Sequence, residues 1–469
     1  MGSMARPGPV NGCILLMLCL VMAAVLAPVS APGAALSDQV FEKTLPNGLK
    51  VILLENHKAP LVTFQVWYRV GSRNEEWGKT GLSHMLEHMM FKGTEKVGPE
   101  QFSRIIAQNG GNENAFTSND YTAYFENMSA DRLKVPLELE SDRMHALLLR
   151  EEDFKTERAV VMEERRMRTD DNPHAVLSEQ LAATAFQRQP YHWPVIGWME
   201  DIARFTLADL KAYYTTYYAP SNAFVVVVGD FKRESLLPMI EEAFGPIPPG
   251  TPPDQHKDRE AKQLGERRIV VQKEAQLASV TKAYHVPNLK ETDSYALEVA
   301  AALLSEGESS RLYRTLVREK ELCLSVDADN SFSSKDPSLF YLSAEVAPGK
   351  TADAVEEALA AEIGRLQSEP VQDRELQKAK NQLEAAFVFG QDSLFGQGVL
   401  LARFEIVSSW RDVDKYVPAV RAVSAEDVRR AARTYLVPEN CTSARLVPIP
   451  SKGPGPARPA APETGQVIR

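Results

Sequence analysis

The stretch from Gly81 to Met90, GLSHMLEHMM, places two histidines and a glutamate within five consecutive positions. On an α-helix His84 and His88 are four residues apart and project from one face. Two imidazoles so placed can share one metal ion. Zinc accepts histidine nitrogens, and a catalytic zinc takes three protein ligands plus water. Glu87 is adjacent to His88 and three residues from His84. It can lean over the open coordination position and take a proton from bound water without being a ligand itself. The competing interpretation is a surface helix that pairs His with Glu, and the pentapeptide alone does not separate the two.

A third ligand must come from elsewhere in the chain. DFKTERAVVMEERRMRT, residues 153–169, reads as a helix, with apolar Phe154, Val160, Val161 and Met167 and many charges at i,i+4 spacing. Glu157 and Glu164 are two helical turns apart, hence on one face. Glu151, Glu152, Glu163, Arg165 and Arg166 fit a solvated, charged surface. Spacing leaves Glu157, Glu163 and Glu164 all open as the third ligand.

Around these helices, strands alternate with helices. LKVILLE (49–55), LVTFQVWYRV (61–70) and AFVVVVGDF (223–231) are rich in β-branched and aromatic residues and read as strands. NAFTSNDYTAYFENM (114–128) has strand character as well, and RLKVPLELESDRMHALLL (132–149) reads mainly as helix. After a proline- and charge-rich connector at 244–263, the order repeats. RRIVVQKE (267–274) and ASVTKAYHV (278–286) read as strands, and SYALEVAAALLSE (294–306) as an apolar helix. The closing segment TYLVPENCTSARLVP (434–448) matches YYAPSNAFVVVVGD (217–230): tyrosine, Pro-x-Asn, strand. Asn222 and Asn440 lie 218 positions apart, which points to a duplicated unit. The expected fold class is α+β, with two homologous α/β domains at 38–243 and 264–448, each a mixed antiparallel sheet packed with helices. The residues from 449 to 469 lack the apolar content to fold.

Across residues 40–447 the sequence resembles the pitrilysin-like, or inverzincin, zinc metallopeptidases, the insulinase and mitochondrial-processing-peptidase type, whose signature is an inverted HxxEH. LPNGLKVILLENHKAPLVTFQVWYRVGSRNE is similar to the opening strands of that family, and GLSHMLEHMMFKGT to its zinc helix. GGNENAFTSNDYTAYF resembles its cleft strand, and ERAVVMEERRM its third-ligand segment. PYHWPVIG and YYAPSNAFVVVVGD match later landmarks. The resemblance implies zinc (Zn2+) held by His84, His88 and Glu164, with Glu87 as the catalytic base. Glu157 is then the acid that steadies a ligand histidine. It also implies two domains around a chamber, where a peptide adds to a sheet edge at Asn114, Ala115 and Phe116. The second domain has no zinc motif and looks like an inactive half.

In many relatives that half supplies an Arg and a Tyr, seven residues apart, to the substrate carbonyl. Here Val317 and Leu324 stand at those places, with Arg318 as a neighbour. The expectation is a zinc-bearing subunit of a pair. A related subunit supplies the missing Arg and Tyr, or the chain pairs with a second copy of itself. The alternatives are a non-catalytic structural or processing-complex subunit, and an export-associated peptide-binding module.

The 469 residues carry a net charge of -10, which argues against a general nucleic-acid binder. Residues 1–35 read as an export signal: Arg6, an apolar run from Ile14 to Ala27, then small residues. That run of 14 residues falls short of the roughly 20 a spanning helix needs. Cleavage after Ala31 or Ala35 is expected, and with it a periplasmic location, a retained membrane tether being the competing reading. Cleavage also leaves only Cys323 and Cys441, too few for a disulfide framework.

Overall fold

A computed structural model describes residues 35–253 and 259–450. The expected export signal at 1–35, except Ala35, and the chain from 451 onward lie outside the described residues. Among the described residues, no helix is long and apolar enough to cross a membrane.

The first half is built on a six-stranded sheet: β1 (Val40–Thr44), β2 (Lys50–Glu55), β3 (Leu61–Tyr68), β4 (Asn112–Thr117), β5 (Thr122–Ser129) and β6 (Ala223–Gly229), in the order β1-β2-β6-β3-β5-β4. The second half is built on five strands: β7 (Arg267–Glu274), β8 (Ser279–Val286), β9 (Cys323–Asn330), β10 (Ser338–Val346) and β11 (Cys441–Ile449), in the order β7-β11-β8-β10-β9. Apart from β1, the two sheets share one topology. β2 pairs parallel with β6 as β7 does with β11, and the other pairs are antiparallel. The shared Pro-x-Asn does the same work in both halves. The Asn222 amide donates to Tyr217 O (2.9 Å), and the Asn440 amide donates to Tyr435 O (2.8 Å). Each closes the turn that feeds the last strand of its sheet.

The halves exchange helices. Helix Pro173–Ala185 of the first lies across β7, β8 and β11, where Leu177 and Leu181 join Ala444 and Leu446 in a small core. Helix Leu394–Val407 of the second covers β3 and β6, and its Gly398 packs so tightly on Gln65 that a Cβ there would come within 2.4 Å of Gln65 Nε2. Glu405, 4% exposed, accepts from Arg69 (2.6 Å) and Lys50 (2.7 Å) across this joint. Among the described residues, the connector 244–263 forms no helix beyond Phe244. Its ends are anchored, with Ile247 buried and the Gln263 amide donating to Cys441 O (2.7 Å).

The sequence reading of one helix needs correction. In the helix Glu151–Arg165 the buried face is Phe154, Glu157, Val161 and Arg165, whereas Val160 and Met167 are exposed. Arg165 is therefore not solvated. Its guanidinium binds Glu179 through two bonds (2.6 and 3.0 Å) and Gly197 O (2.9 Å), tying this helix to its successor. The strand character read in 114–128 is that of the hairpin formed by β4 and β5.

Candidate metal centre

The helix Leu82–Met89 buries Leu82, Met85, Leu86 and Met89, the i, i+3, i+4, i+7 stripe that docks an amphipathic helix on a core. That leaves His84, Glu87 and His88 on its other edge. The start of the helix is held by buried groups that the motif does not reveal. The carboxylate of Glu75, 2% exposed, accepts from Gly81 N and Ser83 N, both at 2.7 Å. Burial pushes that carboxyl up to about 8, against the two backbone bonds that favour its charge. Asp201 accepts from Thr80 Oγ1 at 2.6 Å. Gly81 (φ +91°) and Gly197 (φ +87°) meet backbone to backbone, and a Cβ on Gly197 would lie 2.5 Å from Gly81 Cα. Only glycine combines that approach with a positive φ.

The helix Glu151–Arg165 runs beside the histidines and resolves what spacing left open. Glu164 faces both imidazoles, with Oε2 3.3 Å from His88 Nε2 and Oε1 3.7 Å from His84 Nε2. Glu163 points away and pairs with Arg166 at 2.9 Å. Glu157 meets His88 from behind, with Oε1 2.8 Å from Nδ1, while its other oxygen holds Lys92 at 2.5 Å. One nitrogen of His88 is thus clamped and the other turned toward Glu164. Donor atoms of His84, His88 and Glu164 all lie within 4.8 Å of one another. His84 Nδ1 is buried with no hydrogen-bond partner among the described residues. A neutral imidazole, a clamped imidazole and a carboxylate at this spacing fit a zinc ion.

The electrostatics separate the two histidines. Burial lowers His84 to about 4, and the neighbouring His88 adds to this. Burial also opposes charge on His88, but the carboxylates of Glu157 and Glu164 outweigh it and raise that imidazole to about 9. Burial would raise Glu164, yet its bond to His88 and the charges around it hold it at about 2. Burial raises Glu87 above the usual carboxylate range, against a hydrogen bond from the Thr117 hydroxyl. Thr117 was not among the sequence candidates; its place at the end of β4 carries no motif of its own.

The substrate candidates fall on β4, the outermost strand of its sheet. Asn114 is exposed and Ala115 half-buried. The ring of Phe116 is engaged with Trp67 (5.4 Å between centroids), Tyr121 (6.0 Å) and Phe125 (6.1 Å), so its side chain is a packing element. In the second domain Val317 is partly buried against the core and Leu324 is 52% exposed. Arg318 is paired with Glu308 and lies over the Tyr313 ring. A cavity of about 1100 Å³ lies between the halves, lined by Asp120, Tyr191, Asn330 and Arg403 among others, and His84 and His88 are not part of its wall.

Comparisons with known proteins bear on the family and the fold. Residues 50–197 match the family described as Insulinase (Peptidase family M16), and residues 204–383 match the Peptidase M16 inactive domain. The zinc protease PqqE of Helicobacter pylori is 36% identical over 412 residues, covering 86% of this chain and 92% of the relative. An uncharacterized zinc protease of Streptomyces coelicolor is 28% identical over 404 residues, 84% of this chain and 86% of the relative. The crystal structure of a protease from Helicobacter pylori superimposes with a TM-score of 0.83 at 34% identity, over 87% of this chain and 99% of that one.

Proposed function

Because the chain belongs to the insulinase family of peptidases, peptidase family M16, we propose that it is a zinc-dependent endopeptidase acting on oligopeptides or unfolded peptide segments. The observation that carries this reading is the convergence of His84, His88 and Glu164 within 4.8 Å, with Glu157 clamping His88 from behind. Bound there, zinc would polarise the peptide carbonyl and bring the pKa of its water to roughly 7. Glu87 is the proton carrier. Burial lifts its carboxyl toward working pH, which suits a group that takes a proton and returns it to a leaving amine. The Thr117 hydroxyl fixes one of its oxygens.

The outer edge of β4 pairs with no further strand among the described residues, and its Ala115 N–H donates to Asn114 Oδ1 at 2.8 Å. A peptide added there as a strand is held by its main chain, which tolerates many sequences. The export-signal reading of residues 1–35 supports a periplasmic site for this activity. Val317 and Leu324 carry no side-chain donor, and Arg318 is paired with Glu308. A related subunit could supply the Arg and Tyr in their place, and an assay of the chain alone and with such a subunit tests that pairing.

The deciding experiment is metal analysis with cleavage of a quenched peptide by the mature chain. Glu87→Gln keeps zinc and loses cleavage by a factor of about 100 or more. His88→Ala loses the zinc. Absence of zinc from the wild-type chain refutes the reading in favour of a structural subunit, and undiminished cleavage by Glu87→Gln refutes the role given to Glu87.

A further inference from the structure

Arg168 stands on the π-helical turn Arg166–Asp170 that continues the Glu164 helix, a local widening that recurs at functional sites. Its Nη1 lies 2.7 Å from Glu164 Oε1, the oxygen that faces His84. Its charge also acts on His84 and Glu87. The side chain is 63% exposed, so most of the fork is open rather than packed. The cations nearby are committed elsewhere. Lys92 holds Glu157, Arg165 is buried against Glu179, and Arg166 pairs with Glu163.

Amide hydrolysis builds negative charge on the carbonyl oxygen, and a donor placed for that charge is worth about 100-fold or more in rate. Three carboxylates, Glu87, Glu157 and Glu164, surround the histidines, and the donors beside them, the Thr117 hydroxyl and Lys92, are taken up by Glu87 and Glu157. A guanidinium has five N–H donors in a rigid fork, so it can keep one bond to Glu164 and offer another outward, which a lysine cannot do with the same geometry.

We propose that Arg168 is a further catalytic residue, anchored by Glu164 and donating to the carbonyl oxygen of the peptide bond under attack. The assignment rests on the peptidase reading and adds to it a donor from this chain's own first domain.

The test uses the zinc-loaded full chain carrying Glu87→Gln, so that no turnover intervenes. Binding of a phosphinic peptide, which mimics the tetrahedral oxyanion, is measured by calorimetry against the amide peptide of the same sequence. Adding Arg168→Gln weakens phosphinic binding about 100-fold and leaves amide binding and zinc content unchanged, while Arg168→Lys recovers part of the loss. With Glu87 intact, Arg168→Gln lowers kcat and spares KM. Equal phosphinic affinity in the variant overturns the assignment. So does loss of zinc from Arg168→Gln, which makes the residue a support for Glu164, and so does oxyanion binding that appears only with a second subunit. A wild-type chain that holds neither zinc nor either peptide removes the peptidase reading, and this assignment with it.

Discussion

Zinc uptake by the metal-free chain should expel one proton from the protein, and His88 is its source. A ligand imidazole must be neutral at the coordinating nitrogen, so metal and proton compete. His84, lowered to about 4, is already neutral at pH 6, and Glu164, at about 2, is already ionised. Neither releases a proton. His88, at about 9, is almost fully protonated at pH 6 and gives up about one. Water on the metal, with a pKa of roughly 7, adds only about 0.1 at that pH. The protein therefore releases about 1.1 protons per zinc at pH 6. Between pH 5 and 8 the part of the affinity set by His88 rises about tenfold per pH unit. The assay is calorimetric titration in buffers of differing ionisation enthalpy, where the slope of heat against buffer enthalpy counts protons. Glu157→Gln removes the carboxylate 2.8 Å from His88 Nδ1, so the pH at which release falls to half moves down. A slope near zero at pH 6, or one near two, refutes the assigned charge states.

The same shifts set the acid and base limits of the metal-free fold. His88, raised above its unfolded value of 6.5, contributes stability fully present below pH 6.5 and lost as pH rises through about 9. Glu164, lowered from 4.5, contributes stability present above pH 4.5 and lost as pH falls through about 2. Thermal melts of chelator-treated protein should peak, for this pair, between pH 4.5 and 6.5, and a Glu164→Gln variant should flatten that peak. Gly197→Ala forces a Cβ to 2.5 Å from Gly81 Cα and Thr80 O at a positive φ, so melting should show a loss of about 1–3 kcal/mol with weakened zinc retention; a wild-type melt refutes the close-approach account. Glu405→Ala takes from Arg69 and Lys50 the carboxylate they share at the joint between the halves, leaving Arg69 the carbonyl of residue 405 and Lys50 the carboxylate of Glu42 at 3.7 Å, and should cost about 1–3 kcal/mol, read by denaturant unfolding and faster proteolysis near 394–407. An unchanged midpoint would mean that the joint does not depend on this network.

Local pattern carried much of the fold. β-branched runs such as AFVVVVG and the apolar stripe of the His84 helix have a period that secondary structure imposes directly, so strands and helices could be read without tertiary information. The duplication was legible through Asn222 and Asn440, because the turn each closes uses a side chain bonding five residues back, a device written in a short segment. The pairing of His84 with His88 and Glu87 was equally local, since a helix fixes the relation of residues three and four apart.

The third ligand was not local. Glu157, Glu163 and Glu164 are equivalent to helical spacing, and only the angle at which their helix crosses the histidine helix turns Glu164 inward, Glu157 behind His88 and Glu163 out to Arg166. Burial of Arg165 in place of Val160 escaped the pattern for the same reason: its partners, Glu179 and Gly197, come from segments that folding brings back. Glu75 under the helix start and Thr117 on Glu87 are likewise contacts between distant parts of the chain. A sequence states which side chains share a helix face or a strand. Which of those faces meet, and therefore which charges are buried together, depends on how rigid elements pack, and packing is a property of the whole core.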